Sequence, residues 1–247
     1  MMRFYGISDI GKSRKENQDR IYLPTVKNEL KYFIIADGMG GVNGGEVAST
    51  AAVEVIKDYI DANVENINFD DYTIENLIYQ AILAANKFIY NKSLNQKEYK
   101  GMGTTIVLAI LYRNRVYIGH VGDSRIYRIR KNIIRQLTKD HSYVQALLDQ
   151  GTITREEAEN HPQKNILMKV VGCERKLEPD ILVKGFIKDD ILLMCTDGLT
   201  NMVSTNEIYD TIVNGKNDLS NTCKKLIDMA NENGGYDNVS VILISKD

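Results

Sequence analysis

Phe33-Ile34-Ile35-Ala36-Asp37-Gly38-Met39-Gly40-Gly41 is an apolar run that ends on a carboxylate and breaks at once into glycines. A run this short, closed by glycine, predicts a buried β-strand that delivers Asp37 to its carboxyl end. The layout recurs in Ile191-Leu192-Leu193-Met194-Cys195-Thr196-Asp197-Gly198 and in Val116-Tyr117-Ile118-Gly119-His120-Val121-Gly122-Asp123. Two further carboxylates stand just ahead of strands: Asp19 before Arg20-Ile21-Tyr22-Leu23, and Asp237 before the run Val239 to Ile244. With antiparallel pairing, a strand that begins with its carboxylate lies beside one that ends with it, and both groups emerge at the same rim. Asp19, Asp37, Asp123, Asp197 and Asp237 are therefore expected to converge.

Any one Asp-Gly pair is equally an ordinary turn signal; it is the repetition of strand plus carboxylate that points to a site. Two carboxylates ~4 Å apart repel by roughly 4 kcal/mol at an effective dielectric of about 20. Either some of them are protonated or cations sit between them. Oxygen-only donors, with no His or Cys at metal spacing, favour Mg²⁺ or Mn²⁺ over zinc.

The chain has 247 residues, 43% hydrophobic and 26% charged, with a formal net charge of -2. That length fits one large core, and carboxylates spread from Asp19 to Asp237 argue for a single domain over 1–247. The charge offers no field for nucleic acid or an acidic membrane, so neither partner is expected. The start, Met1-Met2-Arg3-Phe4-Tyr5, lacks the apolar core of a signal peptide, and no apolar run reaches the ~20 residues of a membrane span. A soluble, cytoplasmic protein is expected. Cys173, Cys195 and Cys223 form no CxxC and are odd in number, so no disulfide framework is predicted. None has an arginine six positions on, which removes the loop of a cysteine phosphatase, and Cys195 reads as core.

Along the chain, residues 3–9 predict a first strand. The polar loop from Gly11 to Asp19 follows, with Arg14 suited to grip phosphate oxygens beside a metal site; a solvated basic loop with Lys12 and Lys15 is the alternative. Helical spacing predicts amphipathic helices from Glu46 to about Ile60 and from about Thr73, read as a start signal with Asn76, to Tyr90. Short strands then follow at 106–111, 116–121, 124–130 and 133–137 with tight turns, which means antiparallel sheet. From Ser142 to about Gly172 the pattern is polar and punctuated, with a capping box in type at Thr154-Arg155-Glu156-Glu157, so an appended flap over 142–172 is expected, exposed for substrate contact. Strands at 181–186 and 190–195, a helix after Ser204, and a last helix through Leu219, Cys223, Leu226, Ile227 and Ala230 complete the reading. The fold class predicted is α+β, a four-layer αββα sandwich: two mainly antiparallel sheets between helix layers, with the metal site at one sheet edge.

With these residues in hand, the chain resembles the metal-dependent protein serine/threonine phosphatases, the type 2C or PPM family, in their compact bacterial form. The matching blocks are Arg14-Lys15-Glu16-Asn17-Gln18-Asp19-Arg20; Ala36 to Gly41 with Gly45-Glu46; Gly103-Thr104-Thr105; Val121-Gly122-Asp123-Ser124-Arg125; Leu137 to Ser142; His161-Pro162; Cys195-Thr196-Asp197-Gly198-Leu199; and Gly234-Gly235-Tyr236-Asp237-Asn238. The resemblance implies hydrolysis of phosphoserine and phosphothreonine in proteins by water activated at two Mn²⁺ or Mg²⁺ ions, with a weaker third. It implies that Asp37 bridges the pair, that the Gly38 carbonyl binds one ion, and that Asp197 and Asp237 bind the other. Asp123 would serve the third with Asp197 shared, Asp19 would hold metal-bound water from one layer further out, and Arg14 would bind substrate phosphate. Asp37, Asp197 and Asp237 are then the catalytic set. Where animal members carry a histidine after Asp-Gly, this chain has Met39; the group that protonates the leaving alkoxide stays open between a third-metal water and His161, the poorer choice. His120 and His141 are expected to be structural. A monomer opposing a cognate serine/threonine kinase is a further implication.

Two other readings compete. A catalytically inactive regulatory domain on this scaffold should have lost a ligand, and all are present. A nucleotide-binding module is suggested by Gly38-x-Gly40 after a strand, but Asn43 stands where a third glycine is wanted.

Overall fold

The computed structural model describes residues 2–24, 30–40, 44–66 and 68–247. Gly41 and Asn43, quoted above, lie outside the described residues.

The strands are β1 (Met2–Asp9), β2 (Asp19–Tyr22), β3 (Lys31–Met39), β4 (Gly103–Thr104), β5 (Ile106–Tyr112), β6 (Arg115–Val121), β7 (Arg125–Arg130), β8 (Ile133–Gln136), β9 (Asp180–Gly185), β10 (Ile191–Cys195) and β11 (Val239–Lys246). The helices are α1 (Gly44–Asn63), α2 (Asp71–Asn95), α3 (Tyr143–Asp149), α4 (Arg155–Glu159), α5 (Asp197–Thr200), α6 (Thr205–Gly215) and α7 (Leu219–Glu232). One sheet has the order β1-β11-β10-β7-β8; the other runs β2-β3-β5-β6-β9, with β4 added on β3. Every strand pair described is antiparallel. This is the predicted α+β sandwich, and it excludes the parallel strand-helix-strand unit that a dinucleotide-binding reading of Gly38-x-Gly40 requires.

The unbroken apolar run of β3 follows from burial on both faces. Ile34 and Ala36 pack with α1 and α2 residues such as Ala52, Ile56, Ile78 and Ile82. Phe33 and Ile35 point the other way, into an inter-sheet layer with Leu192, Met194, Ile242 and Ile244. On the far side, Leu193, Cys195 and Leu243 meet Ile208 and Ile212 of α6 and Cys223, Leu226 and Ile227 of α7. A strand with apolar neighbours above and below has no polar face to alternate.

Several boundaries differ from the sequence reading for identifiable reasons. The long helix α2 begins at Asp71, not Thr73: Asp70 is its N-cap and accepts the Thr73 N–H at 2.8 Å, so Thr73 is the residue capped, not the cap. Strand β3 does not end at Asp37 but continues through Gly38 and Met39, which pair with Thr104 and Gly103 of β4. Asp190, expected in a strand, sits just before β10, where its buried carboxylate takes Arg130 at 2.7 and 2.6 Å and the Ile187 N–H at 2.7 Å. The capping box expected at Thr154 is formed, and Ser204 forms a second that the sequence reading did not mark. All three cysteines are free, with Cys195 and Cys223 buried.

Residues 142–172 carry α3 and α4; the bridge Ser142↔Leu167 closes the segment on itself, and Thr104↔Val171 joins it to β4. Buried Asn86 of α2 fastens the return, accepting the Gly172 N–H at 2.7 Å and donating to the Glu174 carbonyl at 3.0 Å. Among the described residues, no helix is long and apolar enough to cross a membrane.

Candidate active site

Antiparallel register creates the site. Asp19 at the start of β2 stands opposite Asp37 near the end of β3. Asp197 follows the end of β10, Asp237 precedes the start of β11, and these two strands are also paired. Asp123 follows β6. Asp37, Asp123, Asp197 and Asp237 line one cavity of about 660 Å³, together with Arg14 and Gly38. Asp19 lies behind them, 2% exposed.

Each carboxylate is held by its own backbone or neighbours. The Asp37 N–H donates to Thr105 Oγ1 at 3.0 Å, and its carbonyl accepts both the Thr105 N–H and Thr104 Oγ1 at 2.8 Å. Thr104 and Thr105 together satisfy its peptide groups, and the Asp37 side chain lines the cavity. Asp19 Oδ2 accepts Ser240 Oγ at 2.7 Å and Thr196 Oγ1 at 2.9 Å. Asp197 opens α5, where its Oδ2 accepts Asn201 Nδ2 at 3.0 Å. Asp237 Oδ1 accepts the Asn238 N–H at 2.8 Å, and its Oδ2 takes Arg14 Nη2 at 2.8 Å.

Two glycines are fixed by close approach. A Cβ on Gly38 would lie 2.1 Å from the Gly45 carbonyl oxygen and 2.7 Å from that of Gln18. Gly122 has φ +105°, and a Cβ there would meet the Thr105 side chain at 2.5 Å. The first lets α1 start against β3; the second lets the chain turn so that Asp123 follows.

Burial and mutual crowding raise the proton affinity of Asp19, Asp37, Asp123 and Asp197. Burial, then repulsion from Asp19, Asp197, Asp123 and Asp237, holds Asp37 well above the usual carboxylate range. Burial takes Asp123 up to about 8, and takes Asp19 up to about 7 against the opposing pull of the Ser240 and Thr196 hydroxyls. Asp197 is raised by burial and then by Asp237. Among the described residues, Asp19 Oδ1 and Asp197 Oδ1 are buried with no hydrogen-bond partner. Unpartnered anionic oxygens in an oxygen-only cluster fit hard divalent cations, which would relieve both the repulsion and the missing contacts.

The sequence reading missed the groups that hold this arrangement. Asn238 accepts the Gln18 N–H at 2.8 Å and donates to the Ile10 and Glu16 carbonyls at 2.9 and 3.0 Å, tying the Arg14 loop to Asp237. Thr104 and Thr105 appeared only as a motif. Asn165 and Leu167 bring the 142–172 segment to the cavity wall. Arg125, quoted in the same block as Asp123, is engaged with Asp140 at 2.6 to 3.0 Å. His161 is not among the cavity-lining residues; its Nδ1 accepts the Gln163 N–H at 3.1 Å. Met39, 38% exposed, does line it.

Fold and donor set together define a metal-dependent hydrolase built on a two-sheet sandwich. Residues 11–239 match the profile described as protein phosphatase 2C, and the chain belongs to that family. It is 40% identical over 240 residues to the serine/threonine phosphatase stp of Listeria monocytogenes serotype 4b, covering 97% of this chain and 94% of that relative. A solved serine/threonine phosphatase of S. agalactiae superposes with TM-score 0.92 at 36% identity, covering 100% of both chains. The catalytic domain of the serine threonine protein phosphatase PstP, solved in complex with two manganese ions, gives TM-score 0.86 at 30% identity, covering 100% of this chain and 99% of that one.

Proposed function

We propose that this chain hydrolyses phosphoserine and phosphothreonine esters in proteins, reversing the action of a serine/threonine kinase. The observation that carries the reading is the convergence of Asp19, Asp37, Asp123, Asp197 and Asp237, two of them with unpartnered buried oxygens. Membership of the protein phosphatase 2C family and the activity named for its Listeria relative support it.

In this reading Asp37, the Gly38 carbonyl, Asp197 and Asp237 hold two Mn²⁺ or Mg²⁺ ions, and Asp123 with Asp197 holds a weaker third. The two manganese ions of the PstP neighbour support the pair. Bound there, such ions supply Lewis-acid charge that acidifies a water and polarises a phosphoryl group. The chain's own residues do the rest. Asp19, anchored by Ser240 and Thr196, keeps one oxygen free to orient a water toward phosphorus. Arg14, on a loop fastened by Asn238, grips the equatorial phosphate oxygens and balances charge that develops on them. Thr104 and Thr105 hold the Asp37 backbone, and so the base of its side chain, in place as the phosphate enters.

The same reading takes residues 1–247 as one catalytic domain with 142–172 as its flap, acting as a monomer in the cytoplasm on phosphoproteins of a cognate kinase. Hydrolysis of a phosphothreonine peptide in Mn²⁺, abolished by EDTA and by Asp37→Asn in a folded protein, is the expected result. Undiminished turnover in excess chelator would sink it.

A further inference from the structure

Two histidines outside the catalytic set grip the turn that carries Asp123 from its two sides. On one side, the His141 N–H donates to the Gly122 carbonyl at 2.8 Å and His141 Nδ1 accepts the Gly122 N–H at 3.1 Å. On the other, His120 Nε2 meets the Ser124 carbonyl at 3.0 Å, and Ser124 Oγ lies 2.8 Å from Thr105 Oγ1. The rings face each other with centroids 4.7 Å apart. Behind them, Asp180 Oδ2 is 3.2 Å from His141 Nε2, and Asp180 Oδ1 takes Lys169 Nζ at 3.2 Å.

His120, His141 and Asp180 approach one another closely enough to resemble a metal centre, but the tautomers argue otherwise. His141 Nδ1 accepts an amide hydrogen, so its ring proton is on Nε2, which then has no lone pair to give a metal. The proton faces the Asp180 carboxylate instead. His120 must donate from Nε2 to the Ser124 carbonyl. The two histidines brace the turn through their hydrogen bonds to Gly122 and Ser124, and Asp180 stands 3.2 Å from His141 Nε2 as a nearby charge.

The brace also reaches the flap. The Met168 N–H donates to the His141 carbonyl at 2.7 Å, and Lys169 is the next residue. We infer that His141, backed by Asp180, is a positioning residue for Asp123: it fixes the 121–124 turn so that the Asp123 carboxylate faces the metal pocket, and it hangs residues 166–169 on the same turn. This rests on the reading of Asp123 as a ligand of the weaker ion. Groups that orient metal ligands from outside typically change metal affinity by about 10- to 100-fold when removed.

The test is calorimetric titration of Mn²⁺ into the metal-stripped full chain. The parent is expected to show a tight step and a weak step, and Asp123→Ala should lose the weak one. His141→Ala is expected to weaken that step by about 10- to 100-fold and leave the tight step unchanged; Asp180→Asn should weaken it less. His141→Asn, whose Oδ1 takes the place of Nδ1, should restore most of the affinity, whereas His141→Gln, which mimics Nε2, should not. Loss of the weak step in Asp123→Ala with parental titrations for His141→Ala and Asp180→Asn overturns the brace alone. A parental titration for Asp123→Ala overturns the reading of Asp123 and the brace with it. If His141→Ala lacks native circular dichroism, the Asn and Gln variants decide, and equal weak-step affinities in that pair overturn the proposal.

Discussion

Arg14 Nη2 lies 2.8 Å from Asp237 Oδ2, so the side chain proposed to bind phosphate is paired with a side chain proposed to bind metal. Both are partly open to solvent, 52% and 36% exposed, and a pair this accessible contributes little to stability. Under the proposed function it would be readily exchanged: a cation held by Asp237 would release the guanidinium to the cavity where phosphate would enter. Arg14→Ala should therefore raise KM for a phosphothreonine peptide by about 10- to 100-fold, the loss of a charged hydrogen bond worth roughly 1.5–3 kcal/mol. Its Mn²⁺ affinity should be equal to or slightly tighter than the parent's, because a competing cation has gone. Steady-state kinetics with a parallel Mn²⁺ titration checks this, and an unchanged KM would remove Arg14 from substrate binding.

The raised carboxylates fix the sign of a pH effect on the metal-stripped protein. A group whose pKa is higher folded than unfolded stabilises the fold at low pH, and that contribution is lost as pH rises through the folded value. Asp19 at about 7 and Asp123 at about 8, against an ordinary 3.8, therefore lower stability as pH climbs toward 8. His120, pushed down to about 4 by burial, acts oppositely but only up to its ordinary 6.5. The window from 6.5 to 8 is thus governed by the carboxylates. In EDTA the melting temperature is expected to fall across that window, and in Mn²⁺ the fall should shrink because the ions replace the protons. A melting temperature that rises with pH in EDTA would contradict the buried cluster.

The carboxylates were legible because three close an apolar run and two stand just ahead of one, and antiparallel pairing brings such ends together. The supports were not, for a physical reason: they are contacts between distant residues whose local sequence carries no period. Thr105 and Ser124 meet across 19 positions, Asn238 and Gln18 across 220. Nothing local marks β4 as a strand, since two residues become one only when β3 runs past Asp37 to pair with them. The cap at Asp70 was missed because Asp70, Asp71 and Thr73 all suit that role, and only tertiary packing of α2 decides among them.

Thr105 is the clearest of these silent supports. Its hydroxyl accepts from the Asp37 N–H and meets Ser124 Oγ, so one oxygen links the backbone beside Asp37 to the turn beside Asp123. Thr105→Val keeps the shape and leaves a buried N–H unpaired, a cost of about 1–3 kcal/mol. Urea unfolding should record that loss, and half-maximal activity should require more Mn²⁺ than in the parent. Thr105→Ser, which retains the oxygen, should recover the metal requirement, and identical Mn²⁺ dependence in the parent and Val variants would reduce Thr105 to a packing role.

Gly38 tests whether the site and the fold share one constraint. A methyl group there would meet backbone on both sides, the Gly45 carbonyl oxygen at 2.1 Å and the Gln18 carbonyl oxygen at 2.7 Å. No rotamer change relieves a clash with main chain, so β3 and the start of α1 must separate, at a cost of about 1–3 kcal/mol or more. The same shift moves the Gly38 carbonyl and the Asp37 carboxylate relative to Asp197 on the other sheet. Gly38→Ala is thus expected to lower the urea midpoint and to lose most of its activity even where it remains folded. Gly185→Ala is the comparison, because its new methyl would meet only the Arg130 guanidinium at 3.6 Å, and it should stay within about 0.5 kcal/mol of the parent. A Gly38→Ala protein matching Gly185→Ala in both midpoint and rate would show that the approach of α1 to β3 does not set the metal geometry.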